Sequence, residues 1–129
     1  EAGSNVELLP LYNIPHNQVP LYMNACDVLV LTSLHEASPC VIKEAMACNC
    51  PIVATNVGDV KWVMGDTEGC FITSFDAKDV ANKIILALNF AEQKGKTKGR
   101  ERILELGLDS ESVSNKIITI YRDLLKAKN

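Results

Sequence analysis

Two short apolar runs constrain the fold more than any other feature: Val28-Leu29-Val30-Leu31-Thr32 and Pro51-Ile52-Val53-Ala54-Thr55. Neither alternates between apolar and polar residues. A strand with one wet face alternates, whereas a continuous run marks a strand covered on both faces, as in a parallel sheet flanked by helices. Between the two runs, Val41, Ile42, Ala45 and Met46 recur at helical spacing. Strand, helix and strand in that order predict a right-handed βαβ unit and an α/β fold: a Rossmann-like parallel sheet flanked by helices.

The flanking segments fit that plan. Val6 to Tyr12 reads as a short strand stopped at Pro10, and a helix is predicted from His16 or Asn17 to about Ala25, with Pro20 in its first turn. Ser38 is a suitable N-cap and Pro39 a suitable first residue for the central helix, while Asn49 is placed to take the left-handed stop conformation. After the turn Asn56-Val57-Gly58-Asp59, a short helix buries Val60, Val63 and Met64, and Cys70-Phe71-Ile72-Thr73 forms a further strand. Asp76 caps a long helix with Val80, Ile84, Ile85 and Leu88 on one face. Lys94 to Arg100 reads as a solvated loop, and Arg102 to Leu106 as helical. Asp109 or Ser110 caps a last helix with the apolar stripe Val113, Ile117, Ile120, Tyr121 and Leu124.

Composition excludes several classes. A chain of 129 residues supports one domain with a real core. A net charge of −3 argues against nucleic-acid binding by broad attraction to a phosphate backbone. Five cysteines, an odd number lying mostly in apolar or helical surroundings, suit a reduced, cytoplasmic chain. Cys48 and Cys50 lack a second cysteine or histidine pair at zinc spacing, so no metal site is expected. The apolar run at Val28–Leu31 is far too short to span a bilayer.

The functional signal lies where the first buried strand meets the central helix, within His35-Glu36-Ala37-Ser38-Pro39-Cys40-Val41-Ile42-Lys43-Glu44. In parallel sheets ligands bind beyond the carboxyl ends of strands. The junction sets one carboxylate, Glu36, before a helix N-terminus and another, Glu44, inside the helix. Free N–H groups of Cys40, Val41 and Ile42 could bind diphosphate oxygens with help from the helix dipole. From spacing alone, Glu36 reads equally as a solvated loop acid, and Glu44 as an exposed helix acid paired with Lys43 or water. Thr32 and Ser33 could touch a ligand or only satisfy loop backbone. His35, His16 and Lys43 read best as surface side chains, and Cys40 has no base partner that would make it a nucleophile.

Taken together, Asp27 to Glu36, Glu44-Ala45-Met46-Ala47-Cys48, Pro51 to Thr55 and Val57-Gly58-Asp59 resemble the retaining glycosyltransferases of the GT-B fold, in the family 4 group that uses nucleotide-sugar donors. The likeness runs from Val6 to Leu125. Two glutamates with seven residues between are weak evidence alone; with these flanking segments they are specific. The sequence departs from the family pattern at Ala37-Ser38-Pro39-Cys40, where many members carry a glycine-rich run, and at Asn49-Cys50, where a glycine-containing turn is commoner. If residue 37 needs a positive φ, alanine there costs about 1 kcal/mol or more.

The resemblance implies that residues 1–129 form one partial nucleotide-sugar-binding domain. The N-terminal acceptor domain and the first part of the donor domain, with its basic pair facing the diphosphate, are absent. The portion alone would be inactive. Glu36, Ala37 and Ser38 would meet the donor sugar; Pro39, Cys40, Val41 and Ile42 the diphosphate; and Glu44 the ribose hydroxyls, since a carboxylate offers acceptors to a diol. No residue is singled out as catalytic, and no metal or other cofactor is implied beyond the nucleotide-sugar substrate. By family habit the whole protein would serve polysaccharide or glycolipid assembly, with peripheral association at the inner face of a membrane. Its last helix would cross toward the other domain, leaving an apolar patch here with some tendency to self-association. Two other readings stand beside this one: a non-catalytic α/β interaction domain, and a GT-B epimerase acting on a free nucleotide sugar.

Overall fold

Every residue of the strand Ile52–Thr55 is buried, and the rest of the chain is arranged about it. A computed structural model describes residues 5–127. Three strands, β1 (Leu29–Leu31), β2 (Ile52–Thr55) and β3 (Cys70–Thr73), form a parallel sheet in the order β1-β2-β3. Leu29 pairs with Ile52, and Ile52 in turn with Cys70. A 3-10 turn at His16–Gln18 leads into α1 (Val19–Ala25). The other helices are α2 (Cys40–Ala47), α3 (Val60–Met64), α4 (Ala77–Lys94), α5 (Gly99–Glu105) and α6 (Ser110–Lys126). The fold is α/β and Rossmann-like.

Strand alternation divides the core into two layers. Ile52 and Ala54 join Ile42, Ala45, Met46, Val60, Val63 and Met64 in one cluster under α2 and α3. Val53 points to the opposite face and is buried outside that cluster. There α4 packs on β2 and β3 and contributes the buried Ala87. Asp76 caps α4 as expected, accepting from the backbone N–H groups of Lys78 and Asp79. Asn49 takes a φ of 56°, the left-handed stop after α2.

Four expectations are corrected. Val6 to Tyr12 is not a strand: Pro10 offers no donor, and among the described residues no neighbouring strand completes a ladder with it. β1 is only half-buried, because it lies at the edge of the sheet. The N-cap of α2 is Pro39, with no side-chain cap bond, and the hydroxyl of Ser38 points elsewhere.

Lys94 to Arg100 is not a solvated loop. Thr97 and Gly99 are buried, α5 already begins at Gly99, and the segment docks on the end of α2. The backbone N–H of Thr97 donates to the Asn49 carbonyl at 2.9 Å, and that of Arg100 to Asn49 Oδ1 at 2.8 Å. The last helix, α6, buries none of its residues; its apolar stripe faces outward, with Ile120, Tyr121 and Leu124 about three-fifths exposed. Among the described residues no helix is long and apolar enough to cross a membrane.

Candidate functional site

Because the strands are parallel, the loops that leave them gather at one edge of the sheet. Residues 32–39 follow β1, residues 56–59 follow β2 and residues 74–76 follow β3. The first two loops touch. Gly58, at φ 53°, lies so close to the first loop that a Cβ there would sit 2.2 Å from the Ala37 carbonyl oxygen and 2.7 Å from that of Glu36. Only glycine permits this approach and this backbone. A second tie runs from Thr55 Oγ1, which donates to the Ser33 carbonyl at 2.7 Å.

Each expected site residue has a definite place. Glu36 is exposed, and its Oε1 accepts from the Ser33 hydroxyl at 3.0 Å. The Ser33 hydroxyl thus orients an acid, and its carbonyl is satisfied within the fold by Thr55. Ala37 is exposed and has no positive φ; among the described non-glycine residues only Asn13 and Asn49 do. The strain anticipated for alanine at 37 is therefore absent.

Pro39 is buried, Cys40 exposed, Val41 half-buried and Ile42 buried. The N–H groups of Cys40 and Val41 have no backbone acceptor among the described residues, as befits a helix start. That of Ile42 donates to the Pro39 carbonyl across a long 3.3 Å. Glu44 is paired with His16, not Lys43: His16 Nε2 lies 3.0 Å from Glu44 Oε1. The histidine is almost fully exposed, so this contact is weakly held.

Lys43 is not a free surface side chain. Its side chain is only 24% exposed, and its ammonium lies 3.1 Å from Asp59 Oδ2 and also donates to the Ser38 hydroxyl. Ser38 in turn donates to Asp59 Oδ2 at 2.6 Å. Burial pushes the Asp59 carboxyl up, but the hydrogen bonds from Ser38 and Lys43, with the charge of Lys43, outweigh it and hold Asp59 below its ordinary value. Sequence reasoning missed this trio, since its members are separated by 16 and 21 positions. The one available signal was Val57-Gly58-Asp59, a glycine and an acid just beyond a buried strand.

At the third loop, Asp79 is held below the usual carboxylate range, chiefly by the backbone N–H of Ser74 at 2.7 Å, with help from Thr73 and the charge of Lys83. Two thiols sit in the interior away from this edge. Burial pushes Cys50 up to about 11 and Cys70 up to about 12, so neither supplies a thiolate. Among the described residues no group of three or more His, Cys, Asp or Glu side chains stands close enough to hold a metal ion.

A hollow of about 650 Å³ lies elsewhere, between the turn at residues 65–68, the end of α4 and α5. That turn enters β3, which puts the hollow at the sheet's opposite edge. Three ion pairs stand in its wall, Lys94 with Glu68 at 2.8 Å, Arg102 with Glu105 at 3.8 Å and Lys98 with Glu101 at 3.9 Å, beside Asp66 and Lys96. Its acids and cations are equal in number, so it carries no net charge to attract a charged ligand.

Comparison with known proteins identifies a family and several relatives. The family model described as "Glycosyl transferases group 1" matches residues 2–102. The "Putative teichuronic acid biosynthesis glycosyltransferase TuaC" of Bacillus subtilis (strain 168) is 35% identical over 71 residues, 55% of this chain and 18% of that protein. The 2-deoxystreptamine N-acetyl-D-glucosaminyltransferase of Streptomyces fradiae is 33% identical over 85 residues, 65% of this chain and 20% of that protein. The alpha-maltose-1-phosphate synthase of Mycolicibacterium smegmatis is 27% identical over 119 residues, 84% of this chain and 30% of that protein. The chain thus spans less than a third of the length of these relatives. No solved structure matches it significantly.

Proposed function

The chain belongs to the group 1 glycosyl transferases, and from that premise we propose that it is the donor-binding portion of an enzyme that moves a sugar from a nucleotide sugar to an acceptor with retention of configuration. The acceptor domain and the opening units of the donor domain would belong to other parts of the whole protein. Alone, the portion would not transfer sugar. The proposed process is polysaccharide assembly by a cytoplasmic enzyme working against the inner face of a membrane. The name of the Bacillus relative, a protein of teichuronic acid biosynthesis, is in keeping with that class.

In this reading the leaving diphosphate meets the amino end of α2, where the N–H groups of Cys40 and Val41 lack backbone acceptors and the helix dipole favours negative charge. The start of α2 from Pro39 to Ile42 shapes that contact, although the Ile42 N–H must give up its long bond to Pro39 to take part. Glu36, with Ala37 and Ser38 beside it, accepts from hydroxyls of the donor sugar. Glu44 accepts from the ribose diol, for which His16 must yield one carboxylate oxygen or share it. Retaining transfer of this kind asks no carboxylate to form a lasting covalent bond, so no catalytic nucleophile is assigned and no metal is required.

The observation that carries the proposal is the junction of β1 and α2: an exposed acid before the helix, unsatisfied amides at its start and a second acid within it. Titration calorimetry of the full-length enzyme with UDP-, GDP- and ADP-sugars tests it. One nucleotide class should bind, and Glu44→Ala should weaken binding by about tenfold or more, as expected for loss of charge-assisted hydrogen bonds to a diol. Absence of binding, or affinity indifferent to Glu44→Ala, overturns the proposal.

A further inference from the structure

We propose that Lys43 is a positioning residue: with Ser38 and Asp59 it latches the loop that carries Glu36 to the turn that follows β2. The part of this inference that concerns the donor rests on the function proposed above; the latch itself does not. Lys43 projects from α2, Ser38 belongs to the loop before α2, and Asp59 ends the turn after β2. The Asp59 Oδ2 atom collects both a hydroxyl and an ammonium donor, and the ammonium also reaches the hydroxyl, so the three groups close on one another. Packing reinforces the bond. With 2.2 Å between a Cβ on Gly58 and the Ala37 oxygen, the two loops are in backbone contact and move as one body while the latch holds.

The second oxygen of Asp59 explains why the ammonium matters. Oδ1 is buried and has no partner among the described residues. A carboxylate with one bare oxygen out of water is tolerated when its other oxygen is strongly engaged. Removing the Lys43 charge leaves Ser38 as the one remaining side-chain donor. Asp59 then gains by turning toward water, which carries the turn away from the Glu36 loop. A second consequence concerns Ser38. Its one hydroxyl proton is committed to Asp59, so toward a donor sugar the hydroxyl can only accept.

Amide hydrogen exchange on the full 129-residue chain reads the latch without any ligand. Lys43→Met should speed exchange by about tenfold at the hydrogen-bonded amides of Ile42, Val57 and Val60, the loss expected for a charge-assisted bond, while β2 and α4 stay as protected as before. Lys43→Arg, which keeps a cation within reach of the carboxylate, should restore most of the protection. Should Lys43→Met fail to fold, Asp59→Asn reads the same amides. Unchanged loop exchange, a uniform rise across the sheet, or an arginine variant no better than methionine overturns the latch. Calorimetry of the full-length enzyme with UDP-, GDP- and ADP-sugars then tests the positioning role. Affinity should fall in Lys43→Met and recover in Lys43→Arg; equal affinity in both removes that role. If the unmodified enzyme binds no donor, the function proposed above fails, and the exchange result still decides the latch.

Discussion

Gly58 joins two constraints that a side chain cannot meet together: a left-handed backbone and a carbonyl oxygen where a methyl group would stand. Gly58→Ala should therefore destabilise the fold by more than about 1 kcal/mol, the left-handed cost alone, with displacement of the Ala37 loop adding to it. Thermal unfolding followed by circular dichroism measures the loss, and an unchanged melting temperature would contradict the packing. Acidity acts at this scale too. Asp59 is held low against its own burial by Ser38 and Lys43. Asp79 is held low by Ser74, and Asp109 by Ser112. A folded value below the unfolded one means that the group stabilises the protein above its unfolded pKa of about 4, and that this stability is lost as pH falls through the lower folded values. The melting temperature should be flat from pH 7 to about 5 and then decline, with a shallower decline in Asp59→Asn.

At the scale of elements, the docking of α5 on α2 turns on a single missing side chain. A Cβ on Gly99 would lie 2.6 Å from the Met46 carbonyl oxygen, which is helix backbone and cannot swing aside. Gly99→Ala should cost about 1–3 kcal/mol, the usual penalty for overpacking, and should expose Ile103. Equilibrium urea unfolding checks this, and a gain in stability would show that the helices separate easily. This contact also marks where the sequence was least legible. The strands β2 and β3, the caps of α4 and α6 and the left-handed Asn49 follow from local patterns: unbroken apolar runs, an acid before a helix, an asparagine after one. Lys94 to Arg100 has the polar, glycine-containing composition of a loop, and its burial comes from Asn49, which lies far away in sequence. Likewise Ser38 was legible as a cap from local preference, but a tertiary carboxylate competed for its hydroxyl and won. The candidate site was legible as a strand-to-helix junction through Glu36 and Glu44. Its supporting trio and the pairing of Glu44 with His16 were not, because each joins residues with no periodic relation.

For the whole molecule the outstanding feature is the outward apolar stripe of α6, with Ile117, Ile120, Tyr121 and Leu124 from 48% to 65% exposed. A continuous patch of this kind favours association. The chain should self-associate as concentration rises, and Ile120→Glu should shift it toward monomer, as read by sedimentation velocity over a tenfold or so range of concentration. Monomer at every concentration would mean that the stripe is too narrow to drive pairing by itself. In the function proposed above, this face would meet the rest of the enzyme.

Asn49 bears on how long the native state lasts as well as on its geometry. Its carbonyl and side-chain oxygens fasten Thr97 and Arg100, the latter across 51 positions of chain, whereas the three strands lie within a stretch that ends at Thr73. A tie that closes so long a loop loses more chain entropy than the strand pairings do, so it forms after the sheet has nucleated. Loosening it should leave the refolding rate nearly untouched and quicken the escape from the native state.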